Sequence, residues 1–262
     1  LMNPVAKIGT TEYYTLFDAV AAVQDGETIT MLRNTAEEFA IDNTTANITL
    51  NMAGFTLTGA ITPSKANLTI ENGTINNENA SYSAIEINAG TLVLNDVTVT
   101  SKRHGVRIDG AVTATIEGGE YKLSATSGTR HAVNVSGAAE VTIKAGTFVG
   151  PKGTTMDSGS AVCVQSGAKV TIEGGDFSGG KTATLGVSGT MTVTGGTFDQ
   201  DVTAYCAEGY LCELNTTTNK YEVFRCLTGK GTETEPYLIK NLSDLVFFRD
   251  HVNEDGTKYN AT

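Results

Sequence analysis

The chain has 262 residues, of which 40% are hydrophobic and 18% charged, with 29 Gly against 4 Pro. That balance suits strand-rich repeats joined by tight turns rather than a disordered chain. A net charge of −11 repels phosphate backbones and anionic lipid, which argues against nucleic acid as a partner. No apolar run approaches the roughly 20 residues that insert in a bilayer as a helix.

Residues 1–30 read as an N-terminal cap. Leu1-Met2-Asn3-Pro4 is not a basic region followed by an apolar stretch, so the chain is either cytosolic or a mature or excised piece. Thr15 and Asp18 have the spacing of an N-cap and an acid at N3; Leu16, Ala19, Val20 and Val23 form the apolar face of a short helix, and Gly26 ends it. Ile29 and Met31 begin the first strand.

Residues 31–200 are dominated by one recurring phrase. It reads Leu-Thr-Ile-Glu-Asn-Gly-Thr-Ile at 68–75, Leu-Val-Leu-Asn-Asp-Val-Thr-Val at 92–99 and Ala-Thr-Ile-Glu-Gly-Gly-Glu-Tyr at 114–121. It returns as Val-Thr-Ile-Lys-Ala-Gly-Thr-Phe at 141–148, Val-Thr-Ile-Glu-Gly-Gly-Asp-Phe at 170–177 and Met-Thr-Val-Thr-Gly-Gly-Thr-Phe at 191–198. The spacing is 21–29 residues, too short for a propeller blade of about 40. A second phrase, at 84–87, 105–108, 132–135, 161–164 and 184–187, drifts in step with it, so both belong to one unit. Such a unit cannot bury its apolar positions alone, whereas stacked units can. The predicted fold is all-β, a right-handed parallel β-helix. Ile70, Leu94, Ile116, Ile143, Ile172 and Val193 form one inward column. Ile75, Val99, Tyr121, Phe148, Phe177 and Phe198 form another that becomes an aromatic stack. Gly118-Gly119, Gly174-Gly175 and Gly195-Gly196 mark corners. Extra residues fall between Tyr121 and Ala132 and between Phe148 and Ala161, and these leave one edge as loops, Gly150-Pro151-Lys152-Gly153 being the clearest.

Residues 201–228 read as a C-terminal cap, in which 210–214 and 221–224 flank a turn at 215–219 and close the stack as a hairpin. The four cysteines, Cys163, Cys206, Cys212 and Cys226, fit no zinc spacing and contain no CxxC. Either one disulfide joins two of Cys206, Cys212 and Cys226, or all are reduced. Residues 229–262 read as a linker, Gly229-Lys230-Gly231-Thr232, and the start of a further module. There Ser243 caps a helix through Val252 with Leu242, Leu245, Phe248 and Val252 on one side.

Chemistry is sought on the outward columns. Glu71, Asn95, Glu117, Lys144, Glu173 and Thr194 form one; Glu117 and Glu173 stand roughly 10 Å apart, beyond the span of an inverting glycosidase, and Lys144 between them makes a charge ladder. Thr69, Thr115, Thr142, Thr171 and Thr192, broken by Val93, form a row explained by β-propensity. The candidate binding residues are Arg103, His104, Arg107, Arg130 and His131. Arg103-His104 and Arg130-His131 sit at equivalent points of adjacent rungs, with Arg107 nearby, and their charge contrasts with an acidic chain. They suit an anionic glycan or protein partner; the bland alternative is a repeated turn with solvated side chains. No catalytic residue, metal ligand or cofactor is assigned, and only three His are present.

Val5-Ala6-Lys7-Ile8-Gly9, with 14–20 and 25–29, resembles the entry segment of the large secreted and cell-surface right-handed β-helix proteins of gut bacteria. Ile48 to Leu57 is similar to their first full rung, with Met52-Ala53 departing from the usual Leu-Asn. Residues 204–210 resemble their exit segment, and 231–239 the start of a following repeat region. The resemblance implies an exported or surface-attached, adhesin-like module within a longer multi-module chain. The function expected is a non-catalytic adhesin or stalk that binds a host protein or glycan. The alternative is a polysaccharide lyase or another carbohydrate-active enzyme on the same fold, since such lyases use Arg or Lys against uronic acids.

Overall fold

Each repeat phrase alternates apolar and polar residues, so every strand has one inward and one outward row. In the computed structural model these strands stack as a parallel β-solenoid of about seven turns. It describes residues 3–125, 129–151, 159–180, 184–229 and 233–252. The expected loop positions 126–128 and 152–158, the linker positions 230–232 and the end 253–262 lie outside the described residues.

Three strand segments per turn build three faces. In the central face Ile29, Leu50, Ile70, Leu94, Ile116, Ile143, Ile172 and Val193 pair in register from rung to rung. All are buried, so the column expected from the phrase is present. The second phrase forms another face, where Ile61, Ile85, Val106, Val133, Val162 and Leu185 stack. The third carries Ile75, Val99, Tyr121, Phe148, Phe177 and Phe198. Its rings are offset-stacked at centroid distances of 5.0, 4.8 and 4.9 Å from Tyr121 to Phe198. Burying such a ring in a close-packed column stabilises the stack by a few kcal/mol, about 25 cal/mol for each Å² removed from water.

The corner leading into the aromatic face is tight. Gly119, Gly146, Gly175 and Gly196 all take positive φ there. A Cβ on Gly119 would lie 2.2 Å from the Val97 carbonyl oxygen. Asn72 and Asp96 take positive φ in the earlier rungs.

The N-terminal edge is closed by more than a helix. Ala6–Ile8 pairs antiparallel with both Thr11–Tyr13 and Thr28–Met31, so the first strand is Ala6–Ile8 and not the segment of Ile29 and Met31. The helix Leu16–Ala22 has Thr15 as N-cap, with the Asp18 N–H donating to Thr15 Oγ1 at 3.0 Å and Thr15 Oγ1 donating to Asp18 Oδ2 at 2.7 Å. It stops at Ala22 with Val23 as C-cap, ahead of the Gly26 expected from sequence. At the other end Tyr210–Asn215 and Lys220–Arg225 form the expected hairpin, and the latter strand lies antiparallel on Gly196–Phe198. This covers the edge that the last aromatic rung would leave open.

The helix Leu242–Val252 packs on the cap through Arg225 to Asp244 at 2.6 Å and Lys240 to Glu208 at 2.8 Å. Its start is capped by Asn241, whose Oδ1 accepts the Asp244 N–H at 2.9 Å, rather than by Ser243. Leu242 and Leu245 are exposed, and Phe247 is the buried residue, grouped with Leu227, Tyr237 and Phe248. The apolar side expected from Leu242 and Leu245 is therefore not the packed one.

Candidate functional site

The residue just before each copy of the second phrase is Ser83, His104, His131 and Ser160. Backbone pairing stacks these four, since Ala84 N–H donates to His104 O and His131 pairs with Ser160. The two imidazoles lie 5.3 Å apart and 4° from parallel. His131 N–H donates to His104 Nδ1 at 3.1 Å, and Ser160 N–H donates to His131 Nδ1 at 3.1 Å. A nitrogen that accepts a backbone N–H carries no proton, so each neutral ring holds its hydrogen on Nε2. Ser160 Oγ, 2.8 Å from His131 Nδ1, is then a second donor to the same lone pair.

Burial is the main cause that depresses both imidazoles, His104 to about 3 and His131 to about 4. The positive fields of neighbouring groups, Arg130 in both cases, add to it. Both rings are neutral at pH 7. The histidines are thus a polar ladder inside the wall, not solvated turn residues.

The arginines divide. Arg107 is neutralised by Glu86 at 3.1 Å and Asp109 at 3.2 Å. Arg103 donates from Nη1 to the Ser81 carbonyl at 2.6 Å, and Arg130 donates from Nη1 to the Thr129 carbonyl at 2.9 Å. Among the described residues neither has a carboxylate within ion-pair distance, and the Nε of Arg130 is buried without a hydrogen-bond partner. By contrast Lys102, Lys122, Lys144, Lys169, Lys220, Arg225 and Lys240 each meet an acid. The structure therefore brings Arg103, His104, Arg130 and His131 together, with Arg107 beside them but already paired.

The other outward columns hold simpler arrangements. Lys144 lies 2.8 Å from Glu117, the side chain expected to form the charge ladder, and the field of Glu173 also raises its pKa. The threonine row extends to Thr28 and Thr49 at its N-terminal end. Cys206, Cys212 and Cys226 are thiols, the reduced member of the two alternatives their spacing left open. A recess of about 540 Å³ lies between Phe17 and Val20 of the capping helix and residues 41–46, away from the arginines.

Sequence reasoning found the two histidines but missed Ser83 and Ser160. The signal was present, because aligning the second phrase one residue earlier places all four in one column. No helix among the described residues is long and apolar enough to cross a membrane. No protein-family model, curated protein or solved structure matches the chain.

Proposed function

We propose that this chain is a non-catalytic bacterial surface module, a rigid stalk or adhesin whose lateral face binds an anionic glycan or an acidic patch of a host protein. One observation carries the reading. Arg103 and Arg130 stand on adjacent rungs with guanidinium donors facing carbonyls rather than acids, on a chain of net charge −11. An unpaired guanidinium offers planar, bidentate donors to carboxylate or sulfate. A rung spacing of about 4.8 Å presents two such forks to a polymer of repeating anions. A parallel stack lends itself to this role, because its long sheets hold the pair at fixed separation.

The lyase alternative asks for a base. His104 and His131 do not supply one, since each Nδ1 lone pair already accepts a backbone N–H and each Nε2 holds the ring proton. Retention on immobilised polygalacturonate and heparin at low salt tests the reading. The folded chain is expected to bind one of them, and Arg103→Ala with Arg130→Ala to weaken binding at least about tenfold. Equal binding by the double variant would overturn it. Formation of an unsaturated uronate, read as ultraviolet absorbance during incubation with polygalacturonate, would favour the lyase.

A further inference from the structure

The C-terminal cap gathers three of the four cysteines. Cys206 forms a parallel bridge with Val193, so it continues the inward column of Ile70 to Val193 by one more rung. Cys212 sits in the hairpin opposite Val223, which in turn faces Gly196 of the last rung. Both side chains are half-buried against the main core. The Cys206 and Cys212 thiols are in hydrogen-bond contact, and the Cys212 thiol also reaches the carboxylate of Asp201. Cys226 is close enough to act on Cys206 electrostatically.

We infer that Cys206 and Cys212 form a disulfide under oxidising conditions, and that this bond clamps the hairpin cap onto the end of the solenoid. The structure shows the reduced form of the pair. The bond would join the segment that extends the central column to the hairpin whose second strand shields the aromatic face. The cap otherwise meets the last rung through the short pairing of Gly196–Phe198 with 221–223. A covalent tie there opposes fraying of the end of a stack, where a repeat has a neighbour on one side alone.

The chemistry is thiol–disulfide exchange with a small-molecule disulfide such as oxidised glutathione. The Cys212 thiolate attacks one sulfur of the reagent, which leaves as glutathione thiolate and forms a mixed disulfide on Cys212. The Cys206 thiolate then displaces the second glutathione. Two protein thiols lose two electrons and two protons, and one reagent disulfide becomes two thiols. Burial, with added repulsion from the neighbouring thiols and Asp201, holds Cys206 up to about 11, so closure speeds up as the solution is made alkaline.

The test uses the folded chain incubated with oxidised glutathione, alkylated, digested without reduction and mapped by mass spectrometry. The expected product is a peptide linked Cys206–Cys212, with Cys163 and Cys226 alkylated. Principal linkage to Cys226, or four alkylated thiols after prolonged incubation at pH 8.5 (about neutral for an ordinary thiol), overturns the proposal. The oxidised chain is also expected to melt higher than the reduced one by about 4 °C or more. Cys206→Ser and Cys212→Ser each abolish that difference, whereas Cys226→Ser keeps it. Loss of the difference in Cys226→Ser alone would likewise overturn the assignment, and mapping of the unsubstituted chain decides the question if a variant does not fold.

Discussion

His104 and His131 are joined twice, by rings stacked at 5.3 Å and by the His131 backbone N–H donating to His104 Nδ1 at 3.1 Å. The second contact makes the ladder sensitive to acid, because protonating Nδ1 turns an acceptor into a donor facing a donor. Both groups have folded-state values below the ordinary imidazole value of 6.5, about 3 and about 4. The unfolded chain therefore binds more protons between those limits. The stability they contribute is fully present above pH 6.5 and is lost as pH falls toward 4 and then 3, by at most about 1.4 kcal/mol per pH unit for each group. Chemical denaturation followed from pH 7.5 to 4 should show a steeper decline in the native chain than in His104→Gln with His131→Gln. Parallel curves would contradict a neutral buried ladder.

Adjacent glycines at one corner should respond oppositely to the same substitution. Gly119 has φ +105, and a Cβ there would sit 2.2 Å from the Val97 carbonyl oxygen of the rung before. Gly118 has nothing within 4 Å of its Cβ position and no positive φ. Gly119→Ala is expected to cost about 2 kcal/mol or more, through strained backbone and a separated rung. Gly118→Ala should be neutral or stabilising by up to about 1 kcal/mol, since it restricts the unfolded chain. Thermal melts of the two variants check this. Equal losses would mean that the corner tolerates displacement, contrary to the close stacking of the backbones.

What could be read from sequence was what the stack repeats. The column from Ile70 to Val193 and the aromatic series from Tyr121 to Phe198 recur in every rung, so alternation and period place them without tertiary information. The terminal hairpin was legible because its turn, 215–219, is a polar cluster between two apolar runs. Features that occur once were harder. Ala6–Ile8 is a strand of three residues whose partner, Thr28–Met31, lies about twenty residues on, and three residues carry no usable period. Arg107 read as a candidate binding cation, and nothing local shows that Glu86, one rung earlier, neutralises it. His104 and His131 were located correctly, but burial depends on the wall around them, and a His before a Gly or Ala reads equally well as an exposed turn.

The capping helix depends on a residue from outside its own segment. The Leu16 N–H donates to Glu37 Oε1 at 3.0 Å and Oε2 at 2.8 Å, and the Phe17 N–H to Oε2 at 3.2 Å. Thr35 Oγ1 holds the same carboxylate by donating to Oε1 at 2.9 Å. An anion at a helix N-terminus satisfies donors that have no partner within the helix and faces the positive end of its dipole. The helix has 7 residues, too few to be stable by propensity, so its position rests on this contact, on Thr15 and on the burial of Leu16 and Ala19. Glu37→Ala should lower stability by about 1–2 kcal/mol and speed amide exchange at Leu16 and Phe17. Glu37→Gln keeps one acceptor oxygen and should recover part of the loss, while Glu38→Ala on the same strand serves as the control. If Glu37→Ala leaves exchange at Leu16 and Phe17 unchanged, the helix is held by its apolar face alone, and the carboxylate has no part in closing the N-terminal edge of the solenoid.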